Sequence, residues 1–75
     1  MPTLFRSEDC RVMMYPNDHL PPHVHVLMRD GRDGTVDLLT LAINGRVQAR
    51  EIRVALAWIA TEQVNLLTEW RRYNP

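Results

Sequence analysis

Alternating hydrophobic and polar positions predict a series of short β-strands in the first half of the chain. These predicted strands are residues 1–6, 10–15, 23–30 and 35–41. In the third strand Val24, Val26 and Met28 share one face, which we expect to pack against a core. The turn Gly31–Gly34 predicts that the third and fourth strands pair antiparallel, and Asn44–Gly45 predicts a further turn.

The second half of the chain has a helical pattern. From about Gln48 to Tyr73 apolar residues recur at a spacing of about 3.6, with no glycine or proline between them. The predicted core stripe comprises Ile52, Leu56, Ile59, Gln63, Leu66, Leu67 and Trp70. A break near Ala60–Thr61 stays open as an alternative. We therefore predict one α+β domain over residues 1–75, a small antiparallel sheet of three to four strands packed on one long C-terminal helix.

The register of the third and fourth strands decides where Asp37 lies. If Asp30 pairs with Thr35, Asp37 falls opposite Met28 on the buried face. A one-residue bulge would move Asp37 to the other face, because it reverses the side of every later residue. The sequence leaves both arrangements open.

Composition narrows the class of protein. No apolar run approaches the roughly 20 residues of a membrane span, and a single cysteine, Cys10, fits a reducing cytoplasm. We therefore expect a cytoplasmic protein without membrane association. Nine basic and nine acidic residues argue against a strong phosphate-binding surface, although every basic residue is arginine. A chain of 75 residues buries a modest core, so self-association or a protein partner is expected.

The candidate chemistry lies in three closely spaced histidines, His19, His23 and His25. His23 and His25 alternate along a predicted strand and so project from one face, about 7 Å apart, while His19 lies on the preceding loop. Three imidazoles with an open position suit zinc or a similar divalent metal, and Asp18 or Asp37 could complete the site. Metal-free acid–base chemistry is a second interpretation. Ordinary polar residues on an open sheet face are the third.

Further side chains are predicted on the histidine face of the sheet. These are Arg6, Arg11, Tyr15 and Arg29. With Tyr15 as a further catalytic candidate, such a face could hold a phosphate and move a proton, as a small ribonuclease acting on RNA requires. The alternative is a solvated face with cross-strand pairs.

Two helix residues suggest a protein interface. Val54 and Trp58 lie off the core stripe on one side of the helix, which is typical of a partner surface. Arg29 is a further candidate partner contact, because arginine suits interfaces. The alternative is that the sheet extends far enough to cover Trp58. Gln63 within the core stripe needs hydrogen-bond partners, from an interface or a histidine.

Three segments together resemble the DUF4160 family of small bacterial proteins of unknown function. They are the opening Met1–Arg6, the stretch Asn17–Val26, which reads NDHLPPHVHV, and the helical Leu66–Trp70. The resemblance implies a compact α+β domain. It also implies a partner, such as a DUF2442-like small protein, in gene pairs suspected of being toxin–antitoxin modules. It assigns no catalytic residues.

The sequence thus supports three hypotheses about function. The first is an interaction module of a toxin–antitoxin-like pair, which binds itself or a cognate protein. The second is a histidine-centred enzyme or metal-binding protein, such as a ribonuclease-type toxin. The third is an inhibitor carried by a mobile element, which needs only a binding surface.

Overall fold

The chain folds into a five-stranded antiparallel sheet followed by helices, in a computed structural model that describes residues 3–75. The α+β class is therefore as predicted. The strands, adjacent in chain order, are β1 (Thr3–Arg6), β2 (Cys10–Met13), β3 (His23–Met28), β4 (Asp33–Asp37) and β5 (Ile43–Gly45). The expectation of three to four strands missed β5. The start of the first predicted strand, Met1 and Pro2, lies outside the described residues.

A close approach between two glycines explains why β5 was missed. Asn44–Gly45 has the composition of a turn, yet Gly45 pairs with Gly34 of β4. A Cβ on Gly34 would lie 2.6 Å from the Asn44 carbonyl oxygen, and one on Gly45 would lie 2.7 Å from the Gly34 Cα. Gly45 also has a φ of +108°, which favours glycine. Both glycines are therefore needed for the close pairing of β4 with β5.

The helical region divides in three, so the prediction of one long helix is wrong. A 3₁₀ turn (Ala49–Glu51) precedes α1 (Arg53–Thr61) and α2 (Gln63–Tyr73). The Thr61 hydroxyl donates to the Ala57 carbonyl at 3.0 Å, a contact that tends to bend helices, and α1 ends there. Neither described helix has the length and apolar character needed to cross a bilayer.

One face of the sheet packs against the helices and forms the core. The predicted inward face of β3 is confirmed, since Val24, Val26 and Met28 are buried. The helices contribute Ile52, Ala55, Ile59, Leu66 and Trp70, and half-buried Leu56 and Leu67 pack against them. The predicted stripe is thus largely confirmed, with Ala55 added.

Gln63 joins the second helix to the sheet. Its Nε2 donates to the carbonyl oxygen of Leu38 at 2.6 Å, directly after β4. Leu38 is fully buried, so this amide satisfies a carbonyl at the edge of the core. The partner of Gln63 is therefore backbone, rather than a histidine or an interface.

The register of β3 and β4 places Asp37 beside the histidines. His23 pairs with Asp37, Val24 with Val36 and His25 with Thr35, so of the two arrangements left open by the sequence the structure excludes the pairing of Asp30 with Thr35. β3 ends at Met28, two residues before Asp30, and the chain returns through a tight turn. In this register the two core valines, Val24 and Val36, lie opposite each other, and this pairing determines the face on which each remaining residue of both strands lies.

The second face of the sheet, called here the open face, carries polar and apolar residues. Both helices pack against the core face, and many open-face residues are half-buried, whereas His23 at one end is buried. They include Arg11, Met13, His25, Leu27 and Thr35.

Candidate metal centre

Three imidazoles surround the carboxylate of Asp18. His23 and His25 both direct Nε2 at the same oxygen, Oδ2, at 3.0 and 2.8 Å. His19 reaches the other oxygen, Oδ1, with Nδ1 at 3.0 Å. The loop between β2 and β3 therefore folds back onto the histidines of β3 and centres them on one acidic group.

The end of α2 holds this loop in place. Asn74, directly after the helix, accepts a hydrogen bond at its Oδ1 from the backbone N–H of Asp18 at 2.6 Å. Its Nδ2 donates to the carbonyls of Trp70 at 3.2 Å and Tyr15 at 3.4 Å. The sequence analysis missed the role of Asn74 because its partner Asp18 lies 56 residues away, and the local sequence around Asn74 indicates only the end of a helix.

His23 is buried, at 6% exposure, contrary to the prediction that it lies outside the core. Alternation placed it on the correct face. Two groups cover His23: the ring of Trp70, whose centroid is 5.1 Å from that of His23, and the loop before β3, through the ring of His19. This burial depends on the tertiary fold, which strand periodicity does not encode.

The hydrogen bonds of His23 fix its tautomer. Its Nδ1 lies 2.7 Å from the Pro21 carbonyl, which only accepts, so Nδ1 carries hydrogen. In the neutral ring Nε2 then directs a lone pair at the Asp18 carboxylate. Such a contact is favourable only when a cation, either a second proton or a metal ion, lies between nitrogen and oxygen.

His25 and His19 are more accessible than His23. The His25 side chain is 28% exposed, and the Tyr15 ring meets it edge-on with centroids 4.5 Å apart. The His19 side chain is 84% exposed. Tyr15 and the three histidines, all predicted as candidates, are therefore neighbours, with His19 the most solvated.

Asp18 is held in its ionised form. Burial opposes the charge, but the hydrogen bond from His25, that from the His19 N–H and the charges of His23 and His25 together outweigh it, and they lower the pKa of Asp18 to about 2. The carboxylate is therefore negative at neutral pH.

A cavity of about 150 Å³ opens beside the histidines. Thr35, Asp37 and Asn44 line its far side. The Asp37 Oδ1 accepts the N–H groups of Leu39 at 2.7 Å and Thr40 at 3.1 Å, so this carboxylate also shapes the turn after β4. A small molecule or water in the cavity would contact the exposed edge of the histidine cluster.

Ligand atoms from Asp18, His23 and His25 all lie within 4.8 Å of one another. Two ligands about 2.1 Å from a metal stand about 3.0 Å apart at right angles and about 3.4 Å apart in the tetrahedral arrangement of zinc. The observed separations of 2.8 and 3.0 Å are nearer the first value and are also the lengths of hydrogen bonds. The bond from His23 to the Pro21 carbonyl is of the kind that orients metal-bound imidazoles. Two imidazoles and one carboxylate are a donor set suited to first-row transition metals.

The predicted partner residues lie elsewhere. Val54 is 66% exposed on α1. Trp58 is half-buried and stacks on Phe5 of β1, with ring centroids 4.9 Å apart, so the sheet does extend to this tryptophan. Arg29 is exposed just beyond β3.

A family model described as Domain of unknown function (DUF4160) matches residues 10–71 of the 75-residue chain. The matched range contains Asp18, His23 and His25. Neither a curated protein nor a solved structure shows a significant match.

Proposed function

The chain belongs to the DUF4160 family, and from its site we propose that it is a small divalent-metal protein. The observation that supports this most directly is the convergence of two imidazole nitrogens on one ionised carboxylate oxygen. The ligands are Asp18, His23 and His25. His19 lies beside this set and is available as a further, solvated ligand.

A metal ion accounts for the three groups together. It would accept the His23 lone pair, bind His25 and neutralise Asp18 in one position. A proton on His23 would serve only its own contact with Asp18, and the contact of His25 with the same oxygen would need a separate hydrogen. The donor chemistry fits zinc, iron, cobalt and nickel.

Three protein ligands would leave further coordination positions free, and a cavity of about 150 Å³ opens beside the histidines. A metal held by these residues would lower the pKa of a bound water and polarise a phosphoryl or carbonyl oxygen. Hydrolysis, including the ribonuclease-type reaction, is the activity class this supports. Tyr15 contacts the ring of His25 next to this cavity without lining it. The buried free thiol of Cys10 supports a reducing, cytoplasmic setting.

Calorimetric titration with zinc tests the proposal. We expect one ion per chain, and a loss of more than about 100-fold in affinity in Asp18→Asn and His25→Ala, which remove ligands rather than their supports. His19→Ala should lose less than about 10-fold in affinity, because this solvated imidazole contacts the other carboxylate oxygen and lies outside the set of three ligands. Circular dichroism establishes that each variant is folded. Failure of wild-type protein to bind zinc, iron, cobalt or nickel more tightly than about 100 µM, or equal binding by all variants, would refute the metal centre.

A second candidate function is the protein-interaction module of a toxin–antitoxin-like pair. Val54 on α1 and Val64 on α2, 66% and 76% exposed, favour it, because such apolar exposure on a small domain suits a partner surface. The partner would be a second copy or a cognate protein such as a DUF2442-like one. A mobile-element inhibitor would need only the same surface.

Light scattering and co-purification with the product of a neighbouring gene test this candidate. We expect a dimer or a stable complex that Val54→Ser/Val64→Ser weakens. A monomer that captures no cognate protein would contradict it.

A further inference from the structure

A second cavity, of about 520 Å³, lies at the far end of the open face and is lined by three arginines. Arg6 ends β1 and pairs with Arg11 of β2, while Arg29 follows β3. Three neighbouring strands thus bring one guanidinium each to the same cavity. We call Arg6, Arg11 and Arg29 the arginine cluster.

The arginine cluster carries excess positive charge. Within residues 3–75 the arginine ion pairs involve Arg32 and Arg72, and none involves the cluster. Among the described residues that line this cavity, Glu8 is the one carboxylate, against three arginines. The chain has zero net charge, so the attraction for an anion is local. Guanidinium groups bind phosphate through paired hydrogen bonds, which suits this cluster to a phosphate-bearing ligand.

The open face connects the arginine cluster to the metal centre. Arg11 pairs with Leu27, and Met13 pairs with His25 in the next row of the same face. One strand repeat, about 7 Å, separates these rows. The uncharged side chains of Met13 and Leu27 lie between them, and the exposed Asp33, opposite Leu27 on β4, borders this path on one side.

We propose that the arginine cluster binds the phosphodiester backbone of single-stranded nucleic acid, which continues along the open face to the histidines. The half-buried rings of Tyr15 and His25, with centroids 4.5 Å apart, place aromatic surface on this path against which a base can stack, and an acidic peptide would not use it. This inference deepens the proposed function by naming its substrate class. It rests on the metal centre for the reaction but not for binding.

Fluorescence anisotropy with a labelled single strand of about 12 nucleotides, as RNA and as DNA, tests the proposal over a range of salt concentrations. All titrations contain a chelator, so the metal centre plays no part. The test variant is Arg11→Gln/Arg29→Gln. The matched control is Arg46→Gln/Arg71→Gln, which removes the same charge from two exposed arginines outside the cavity. Arg6→Gln alone provides a second, milder variant at an exposed strand end.

We expect the test variant to bind about tenfold more weakly at low salt. The slope of log K against log salt concentration should become shallower by about 1.4, which is about 0.7 for each of two lost phosphate contacts. The control should stay within about twofold of wild type, because its arginines make no such contact. Equal losses in both variants would show a bulk charge effect and overturn the proposal, as would wild-type protein that binds neither strand. Binding of poly-glutamate as tight as that of the oligonucleotides would assign the cavity to an acidic protein segment instead.

The metal centre is tested separately, by zinc calorimetry on the same wild-type protein. Strand binding without zinc binding would remove the proposed metal centre and leave this inference in place, whereas zinc binding without strand binding would do the reverse.

Discussion

Replacing Asn74 with alanine should weaken both the fold and the metal centre. The side chain of Asn74 connects the end of α2 to the loop that carries Asp18. It accepts one short hydrogen bond, 2.6 Å from the Asp18 nitrogen, and donates two longer ones, at 3.2 and 3.4 Å, to Trp70 and Tyr15. Asn74→Ala removes all three contacts.

The expected loss of stability follows from the shortest of these bonds. Leaving a partly buried N–H without its acceptor costs about 1–3 kcal/mol, and the two longer contacts add little. For a domain of this size each kcal/mol lowers Tm by about 4–8 °C, so the expected fall is about 4–24 °C. A loop freed from its support should also lose about 10–100-fold in zinc affinity, as other outer partners of metal ligands do.

Thermal unfolding in chelator and zinc calorimetry below the variant's Tm measure the two effects separately. Asn65→Ala is the matched control, because this exposed amide of α2 bonds only to the Glu62 carboxylate. It should change stability by less than about 0.5 kcal/mol and leave zinc affinity unaltered. A lower Tm with wild-type zinc affinity would show that the Asp18 loop is positioned without α2. Unchanged Tm and affinity would refute the hydrogen bond itself.

Two further predictions concern stability. Gln63→Met keeps the side-chain volume but removes the donor to the buried Leu38 carbonyl. Urea unfolding should therefore show a free energy of unfolding lower by about 1–3 kcal/mol, and a decrease of less than about 0.5 kcal/mol would contradict this role. The hydrogen bond from Arg32 lowers the pKa of Glu51, so its stabilisation is present above the usual value of 4.5 and lost as pH falls below it. Tm should therefore fall in acid more steeply for wild type than for Arg32→Gln, and parallel curves would contradict the pairing.

The periodicity of apolar residues correctly predicted which faces of single strands and helices are buried. Alternation identified the buried face of β3 and placed His23 and His25 together on the other side. The spacing of apolar residues identified Ile59 and Trp70 as helix residues of the core. These predictions succeed because each follows from the geometry of a single element.

Features that depend on contacts between distant elements were not predicted. The side of Asp37 depends on which residues of β4 face β3, and the short turn after Met28 set that register. Burial of His23 depends on Trp70, far along the chain, and the orientation of Asp18 depends on Asn74. The histidines of the centre were visible in the sequence, whereas the groups that orient them were not.

The link between Asp18 and Asn74 sets an order of events during protein synthesis. Asp18, the first of the proposed metal ligands, leaves the ribosome 56 residues before Asn74, which positions its loop. At a synthesis rate of about 5–20 residues per second, this interval lasts about 3–11 s. During that time a nascent chain would expose the histidines without the support of α2 and should hold metal weakly. Tight metal binding would thus distinguish chains that include a folded α2 and Asn74 from shorter, growing or truncated ones.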